Sequence, residues 1–279
     1  MTATSTPPTA TAPAFGTADQ YEPPTGAIWL LKDSWTEAAR HLKAVPRNPE
    51  LLIFATIQPI MFIVLFVYVF KGSVNVPIDY VQYVIPGIMA QTILFNSAFT
   101  GVGVADDLSK GIIDRLRSLP MYPSAVLIGR TLSDVARNVI TFAVMLLVAF
   151  LVGFRFEGTV AGAVVATALM FLWSYAFSWI AALIGLSVGS VEAANSAGFI
   201  WMFPLTFVSS AFVNVALMVT WLQPIARNNP FTILTNASRA LYNGEPAGND
   251  LWLAAAWAIG IAIVFGVLAS RKFARSTSA

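Results

Sequence analysis

Asp106-Asp-Leu-Ser-Lys-Gly-Ile-Ile-Asp-Arg-Leu-Arg-Ser-Leu-Pro-Met-Tyr-Pro-Ser-Ala-Val-Leu-Ile-Gly-Arg130 crowds charge into one short segment, and the runs on either side of it are almost purely apolar. Ile112, Ile113, Leu116 and Leu119 recur at helical spacing, while Lys110, Asp114, Arg115 and Arg117 fall on the other face. Asp106 and Asp107 sit near the expected start of this short helix, where the macrodipole favours acids, and Pro120 and Pro123 stop it. A charged, amphipathic, proline-stopped loop between two membrane spans is suited to dock in a groove on another protein. Its plainer reading is a solvated loop whose basic residues only fix topology.

Outward from this loop the chain is apolar. Of 279 residues 57% are hydrophobic and 11% charged, against about 25% charged in a soluble domain. Such a chain cannot cover its surface with polar groups, so lipid is its expected solvent. A helix needs roughly 20 apolar residues to cross a bilayer. Six runs qualify, at 51–70, 83–104, 135–154, 160–186, 197–219 and 251–269. The fifth contains Pro204 and fades into polar sequence after Phe212. The fold expected is therefore all-α and polytopic, one transmembrane domain over 27–279.

An even number of spans puts both termini on one side. Lys32, Arg40, Lys43, Arg47, Lys110, Arg115, Arg117, Arg130, Arg137, Arg271, Lys272 and Arg275 fall on the N-terminal side, and Lys71, Arg155, Arg227 and Arg239 on the other. The positive-inside rule then makes both termini and the 106–130 loop cytoplasmic, and residues 214–250 external, in a multi-pass protein of the cytoplasmic membrane.

Several function classes drop out. No Cys is present and His41 is the single His, so thiol chemistry and two-histidine metal sites are excluded. The net charge of +2 gives no sign of nucleic-acid binding. The predicted spans hold no Asp, Glu, Lys or Arg near their centres, which argues against an ion-driven pump and against an intramembrane hydrolase. No G-x-x-x-x-G-K-[ST] phosphate loop occurs, so the chain cannot bind ATP by that mechanism and any ATP energy must arrive through a partner.

Residues 1–26 are rich in Thr, Ala and Pro, lack the basic and apolar regions of a signal peptide, and read as a disordered tail. Residues 27–45 carry Ile28, Leu31, Trp35, Ala38, Leu42 and Val45 on one stripe, with Lys32, Glu37, Arg40 and Lys43 off it. This predicts an interfacial amphipathic helix, ended by Pro46 and Pro49. It is either a lever, with Trp35, Arg40 and Lys43 as its working residues, or a passive anchor. In 214–250, residues 215–221 and 231–241 suggest two helices too short to span, which would dip into the outer leaflet or cap an exit path. Met202, Phe203, Pro204 and Phe207 form a bulky apolar cluster, suited to a hydrophobic substrate path or to ordinary helix packing.

Taken in order, these parts resemble a known family. An amphipathic helix precedes six spans. Gly-Ile-Ile-Asp-Arg-Leu-Arg-Ser-Leu-Pro-Met (111–121) follows the second, and Asn229-Pro230-Phe231-Thr232 with Arg239-Ala240-Leu241 and Gly244 precedes the sixth. Over residues 25–275 the chain resembles permeases of the type-2 ABC exporter family, close to the daunorubicin-resistance permeases of actinobacteria. The resemblance implies a transmembrane subunit that is not itself an enzyme. It implies a second permease copy, and a separate ATPase subunit that carries the ATP and magnesium. The cargo implied is a hydrophobic drug, antibiotic or lipid. Lys110, Gly111, Ile112, Asp114, Arg115, Leu116, Arg117, Ser118 and Pro120 match the family's coupling segment. Pro230, Arg239 and Gly244 match its external motif, an outer gate. A partner-free channel or scaffold, and a lipid-acting enzyme built around Arg227, Asn228, Asn229 and Arg239, are the other classes the residues leave open.

Overall fold

A computed structural model describes residues 49–72, 74, 76–112 and 123–275. The expected tail, the interfacial helix with Trp35, Arg40 and Lys43, and the coupling residues Asp114, Arg115, Leu116, Arg117, Ser118 and Pro120 lie outside them. The described chain is helical. Its elements are α1 (Pro49–Val64, continued by π-helical turns Leu65–Phe70), α2 (Tyr80–Ser109), α3 (Pro123–Leu151), α4 (Val160–Gly185), α5 (Val191–Phe207), a 3-10 turn (Val215–Leu217), α6 (Gln223–Asn228), α7 (Pro230–Asn243) and α8 (Gly248–Arg275). Among the described residues α2, α3, α4 and α8 are long and apolar enough to cross a membrane. The π turns close a shorter apolar stretch, Thr56–Phe70, and α5 has 17 residues.

Side chains that end the helices are legible in the sequence. Asp79 caps α2 by accepting from the Val81 N–H, Thr159 caps α4 from Gly162, and Ser190 caps α5 from Ala193. α2 is the central helix and is buried on nearly every face. It can be, because small residues let its neighbours approach. A Cβ on Gly101 would strike the Ala181 backbone, and one on Gly185 would strike the Gly101 carbonyl. Beside this contact Ser97 Oγ donates to the Ser174 carbonyl at 3.1 Å, and Asn138 Nδ2 of α3 donates to Ser174 Oγ at 2.7 Å. Trp173 of α4 donates its indole N–H to the Ala254 carbonyl of α8 at 2.9 Å. The outer face of α8 is apolar and exposed at Trp252, Trp257, Ile263 and Val264, as a lipid-facing helix requires. Ser97 meets Ser174 and Gly101 meets Ala181, while Trp173 meets Ala254 and Trp179 meets Gly266, so α2, α4 and α8 are parallel. α5 runs antiparallel to α2, with Gly198 against Ala98 and the Gly87 site against Ala211.

Three expected boundaries are corrected. α3 starts at Pro123 rather than 135, and α2 runs to Ser109, so part of the 106–130 loop is helix. Asp106 and Asp107 therefore sit in the last turn of α2, where the dipole disfavours acids; Lys110 and Arg130 pair with them and offset this. The fifth apolar run, 197–219, does not continue as one helix, because α5 covers Val191–Phe207. Pro204 removes an N–H from its last turns, and Asn229 Nδ2 donates to the Leu205 and Val208 carbonyls at 2.7 and 2.6 Å, closing the helix end. The expected helix at 215–221 is a short 3-10 turn, followed by α6; Asn214 accepts from the Ala216 N–H, and Pro224 helps start the next helix.

Candidate functional site

Two ends of the bundle carry polar machinery. At the end where α2 stops and α3 begins, Arg130, Asp134 and Arg137 project from α3 at helical spacing towards α2. Arg130 pairs with Asp107. Thr100 Oγ1 donates to Asp134 Oδ2 at 2.5 Å, and Arg137 pairs with Asp134 Oδ1 at 2.9 Å. Asp134 is buried. Space for this cluster comes from Gly103, since a Cβ there would occupy the position of the Arg130 guanidinium. Arg137 also lies 6.0 Å above the Phe99 ring. Lys110 pairs with Asp106 at 2.7 Å on the exposed face, Gly111 turns the chain out of α2 with φ +65°, and Ile112 follows it. The cluster thus ties together the two roots from which residues 113–122 depart. Sequence reasoning passed over Thr100 and Asp134 and read Asp107 only as an acid near a helix start; the i, i+4, i+7 placement of Arg130, Asp134 and Arg137 on one helix face was the available signal.

The opposite end is organised by α7. Pro230 opens the helix at a position that needs no N–H. Asn229 serves two helices: its Oδ1 accepts from the Phe231 N–H at 2.8 Å, and its Nδ2 closes α5 as described. Gly244 ends α7 with φ +77°, in the left-handed region. It packs on Gly158, where a Cβ would meet the Leu241 carbonyl at 2.5 Å. The Tyr242 carbonyl accepts from the Glu157 and Gly158 N–H groups, both at 3.0 Å. The Tyr242 hydroxyl, 2.9 Å from Thr167 Oγ1, is pushed up to about 12 by burial, which the hydrogen bond opposes.

Arg239 is the unexpected member. Counted on the external side in the sequence, it is only 9% exposed in the fold. Its guanidinium stacks 3.7 Å from the Tyr83 ring centroid. It donates to the Tyr83 carbonyl at 2.9 Å, the Ser210 carbonyl at 2.7 Å and Asn236 Oδ1 at 3.1 Å. Burial lowers its pKa, while Tyr83 and Glu245 oppose the shift; arginine still stays charged. The motif residues Pro230, Arg239 and Gly244 thus lock α7 onto α2, α5 and the α3–α4 turn.

The apolar cluster divides. Met202 is fully buried in the core. Phe203 and Phe207 belong to a ladder of rings: Phe95 meets Phe203 edge-on, Phe203 stacks on Phe207, Phe207 on Phe212, and Phe212 on Phe66 at 4.5 Å. Pro204 faces an open apolar groove of about 890 Å³, walled by Trp201, Leu205, Leu222, Ile225 and Asn228. Among the described residues no group of His, Asp and Glu side chains is placed to hold a metal ion.

Comparison with known proteins meets this geometry. The ABC-2 type transporter family model matches residues 34–243, from before the first span to the end of α7. A daunorubicin resistance ABC transporter permease protein of Streptomyces coeruleorubidus is 31% identical over 239 residues, 85% of this chain and 84% of that protein. A probable doxorubicin resistance ABC transporter permease protein of Mycobacterium tuberculosis is 22% identical over 230 residues, covering 81% and 83%. A putative transport permease of Cyanophora paradoxa is 26% identical over 223 residues, covering 78% and 76%. With an all-helical, largely apolar bundle and a match across most of its length, the chain belongs to the ABC-2 type transporter family, as a membrane permease subunit.

Proposed function

We infer that this permease is the transmembrane subunit of an ATP-driven exporter of hydrophobic drugs, antibiotics or lipids. It spans the cytoplasmic membrane six times, with both termini cytoplasmic, and works beside a second permease copy. A separate ABC ATPase subunit docks on the segment from Lys110 to Pro120, carries the ATP and magnesium, and does the hydrolysis. The interfacial helix at 27–45 acts as a lever beside that docking site. The observation that carries this reading is the ion-paired cluster at the roots of the docking segment. A push on residues 113–122 reaches α2 and α3 together, because Asp107–Arg130 and Thr100–Asp134 join them. The drug-resistance names of the actinobacterial relatives support the cargo class. So does the groove at Pro204, whose walls are almost wholly apolar.

The test is affinity purification of the tagged chain from its native membrane in mild detergent, with mass identification of co-eluting proteins. A stoichiometric ABC ATPase, and ATP-dependent uptake of a hydrophobic dye by inverted vesicles containing both, is the expected result. An intact chain that elutes without an ATPase and passes solute without ATP is a channel, and the exporter reading fails.

A further inference from the structure

A second cavity opens at the α7 end, with a volume of about 260 Å³ and a mixed polar and apolar wall. Arg239 lies at its buried side and Arg227, which is exposed, also lines it. Among the described residues no carboxylate lies within ion-pair distance of either guanidinium; Glu245 acts on Arg239 only through space. A buried cation whose partners are all neutral is costly.

The hydrogen bonds also sort by sign. Several of the cavity's acceptors are engaged: the Ser210 carbonyl and Asn236 Oδ1 take Arg239, and Asn214 Oδ1 takes the Ala216 N–H. Ser210 Oγ is spent as a donor to Asn236 Oδ1. Arginine only donates, so its bond fixes the Asn236 amide with Oδ1 towards it and leaves Nδ2 over. Among the described residues, Asn236 Nδ2 and Asn214 Nδ2 meet no acceptor, and the Thr232 hydroxyl, which accepts from the Ser210 N–H, keeps its own proton to give. What remains is a cavity in which donors and positive charge predominate, with the Tyr83 hydroxyl able to serve either role and the Ser210 hydroxyl still able to accept. Water would satisfy the donors but not the charge. Donors arriving from α6, α7 and the Asn214 turn surround a ligand with acceptors in several directions, which suits tetrahedral phosphate better than a planar carboxylate. The volume has room for a phosphate group with companion waters, each taking about 30 Å³.

The geometry points to a binding site for a phosphate group, carried on a lipid headgroup or free in solution. It holds whether or not the chain docks an ATPase. The test uses the purified, delipidated full chain in a maltoside detergent. Inorganic phosphate, phosphatidylglycerol and uncharged diacylglycerol are titrated separately, and binding is read by native mass spectrometry and by the shift in melting temperature. Binding of both phosphate and phosphatidylglycerol marks a site for the bare group; phosphatidylglycerol alone marks a headgroup site. In either case Arg227→Gln, at an exposed position, raises Kd at least about tenfold. Asn236→Asp places a carboxylate beside Arg239, so it raises the melting temperature of the free chain and abolishes binding. Diacylglycerol that binds as well as phosphatidylglycerol, no binding of any phosphate, or wild-type affinity in both variants overturns the site.

Discussion

The guanidinium of Arg130 stands where a Cβ on Gly103 would have to be, and from there it reaches Asp107 one turn further along α2. The absent methyl group is thus what admits an arginine between two spanning helices. Gly103→Ala meets the far end of a flexible side chain, not backbone, so the helices need not move. Alanine gains about 1 kcal/mol of helix propensity, and the displaced, partly exposed ion pair is worth about as much. The melting temperature is therefore expected to stay near that of the parent. Transport and transport-stimulated ATP hydrolysis by the assembled exporter should fall several-fold, because α2 and α3 lose one of their two ties, Thr100–Asp134 remaining. Full transport in a Gly103→Ala assembly removes the cluster from the coupling path.

Gly185→Ala is the contrasting case. Its Cβ would meet the Gly101 carbonyl, which is backbone on the central helix and cannot step aside. Separating α2 from α4 also strains Ser97–Ser174 and Asn138–Ser174. Overpacking of this kind costs about 1–3 kcal/mol. A clear fall in melting temperature is expected, with membrane insertion unchanged. Gly189→Ala, four residues on with open space at its Cα, should melt like the parent. Equal melting of the two variants contradicts the close approach of α2 and α4.

Arg115→Glu combined with Arg117→Glu reverses two charges of the proposed docking segment. Like-charge juxtaposition at an interface costs several kcal/mol. Recovery of the ATPase with the tagged permease should drop at least about tenfold, while the amount of permease in the membrane stays constant. Undiminished co-purification moves the docking surface elsewhere, and the interfacial helix at 27–45 becomes the first place to look.

Pro204→Leu tests the apolar groove. The proline ring is exposed at the groove wall, so a longer branched side chain narrows the space and restores an N–H to the last turns of α5. The stability change is expected to stay within about 1 kcal/mol, while the rank order of exported hydrophobic dyes changes. A lower melting temperature with an unaltered dye profile makes Pro204 a packing residue only.

The parts legible in the sequence are those where an apolar run and its cap agree. Thr159 before the 160–186 run, and Gly244 past the end of α7, mark ends that the fold keeps. The start of α3 was hidden because Arg130, Asp134 and Arg137 depress the apolar count, although their charges are met by Asp107, by Thr100 and by one another. The end of α5 was hidden for the opposite reason. Phe212, Val213 and Val215 prolong the apolar run, while the group that closes the helix, Asn229, lies far along the chain. The burial of Arg239 was the least legible, because its main acceptors are the backbone carbonyls of Tyr83 and Ser210, and any residue type supplies a carbonyl.

Arg239→Lys separates charge from shape at that position. A lysine keeps the cation but has one ammonium on a flexible stem, with no plane to stack on Tyr83. It cannot donate at once to the Tyr83 carbonyl, the Ser210 carbonyl and Asn236 Oδ1, which the guanidinium reaches with three separate nitrogens. At least one buried carbonyl is left without its donor, at about 1–3 kcal/mol, and the stacking contact adds about 1–2 kcal/mol more. Because these bonds join α7 to α2 and to the turn after α5, the loss should appear first as local opening. Faster proteolysis within 214–250 is expected, ahead of any change in the melting of the whole bundle. Tyr83→Leu removes the ring but keeps the carbonyl, so it should show a smaller effect of the same kind. If Arg239→Lys resists protease like the parent, charge alone holds α7, and the guanidinium geometry has no structural role.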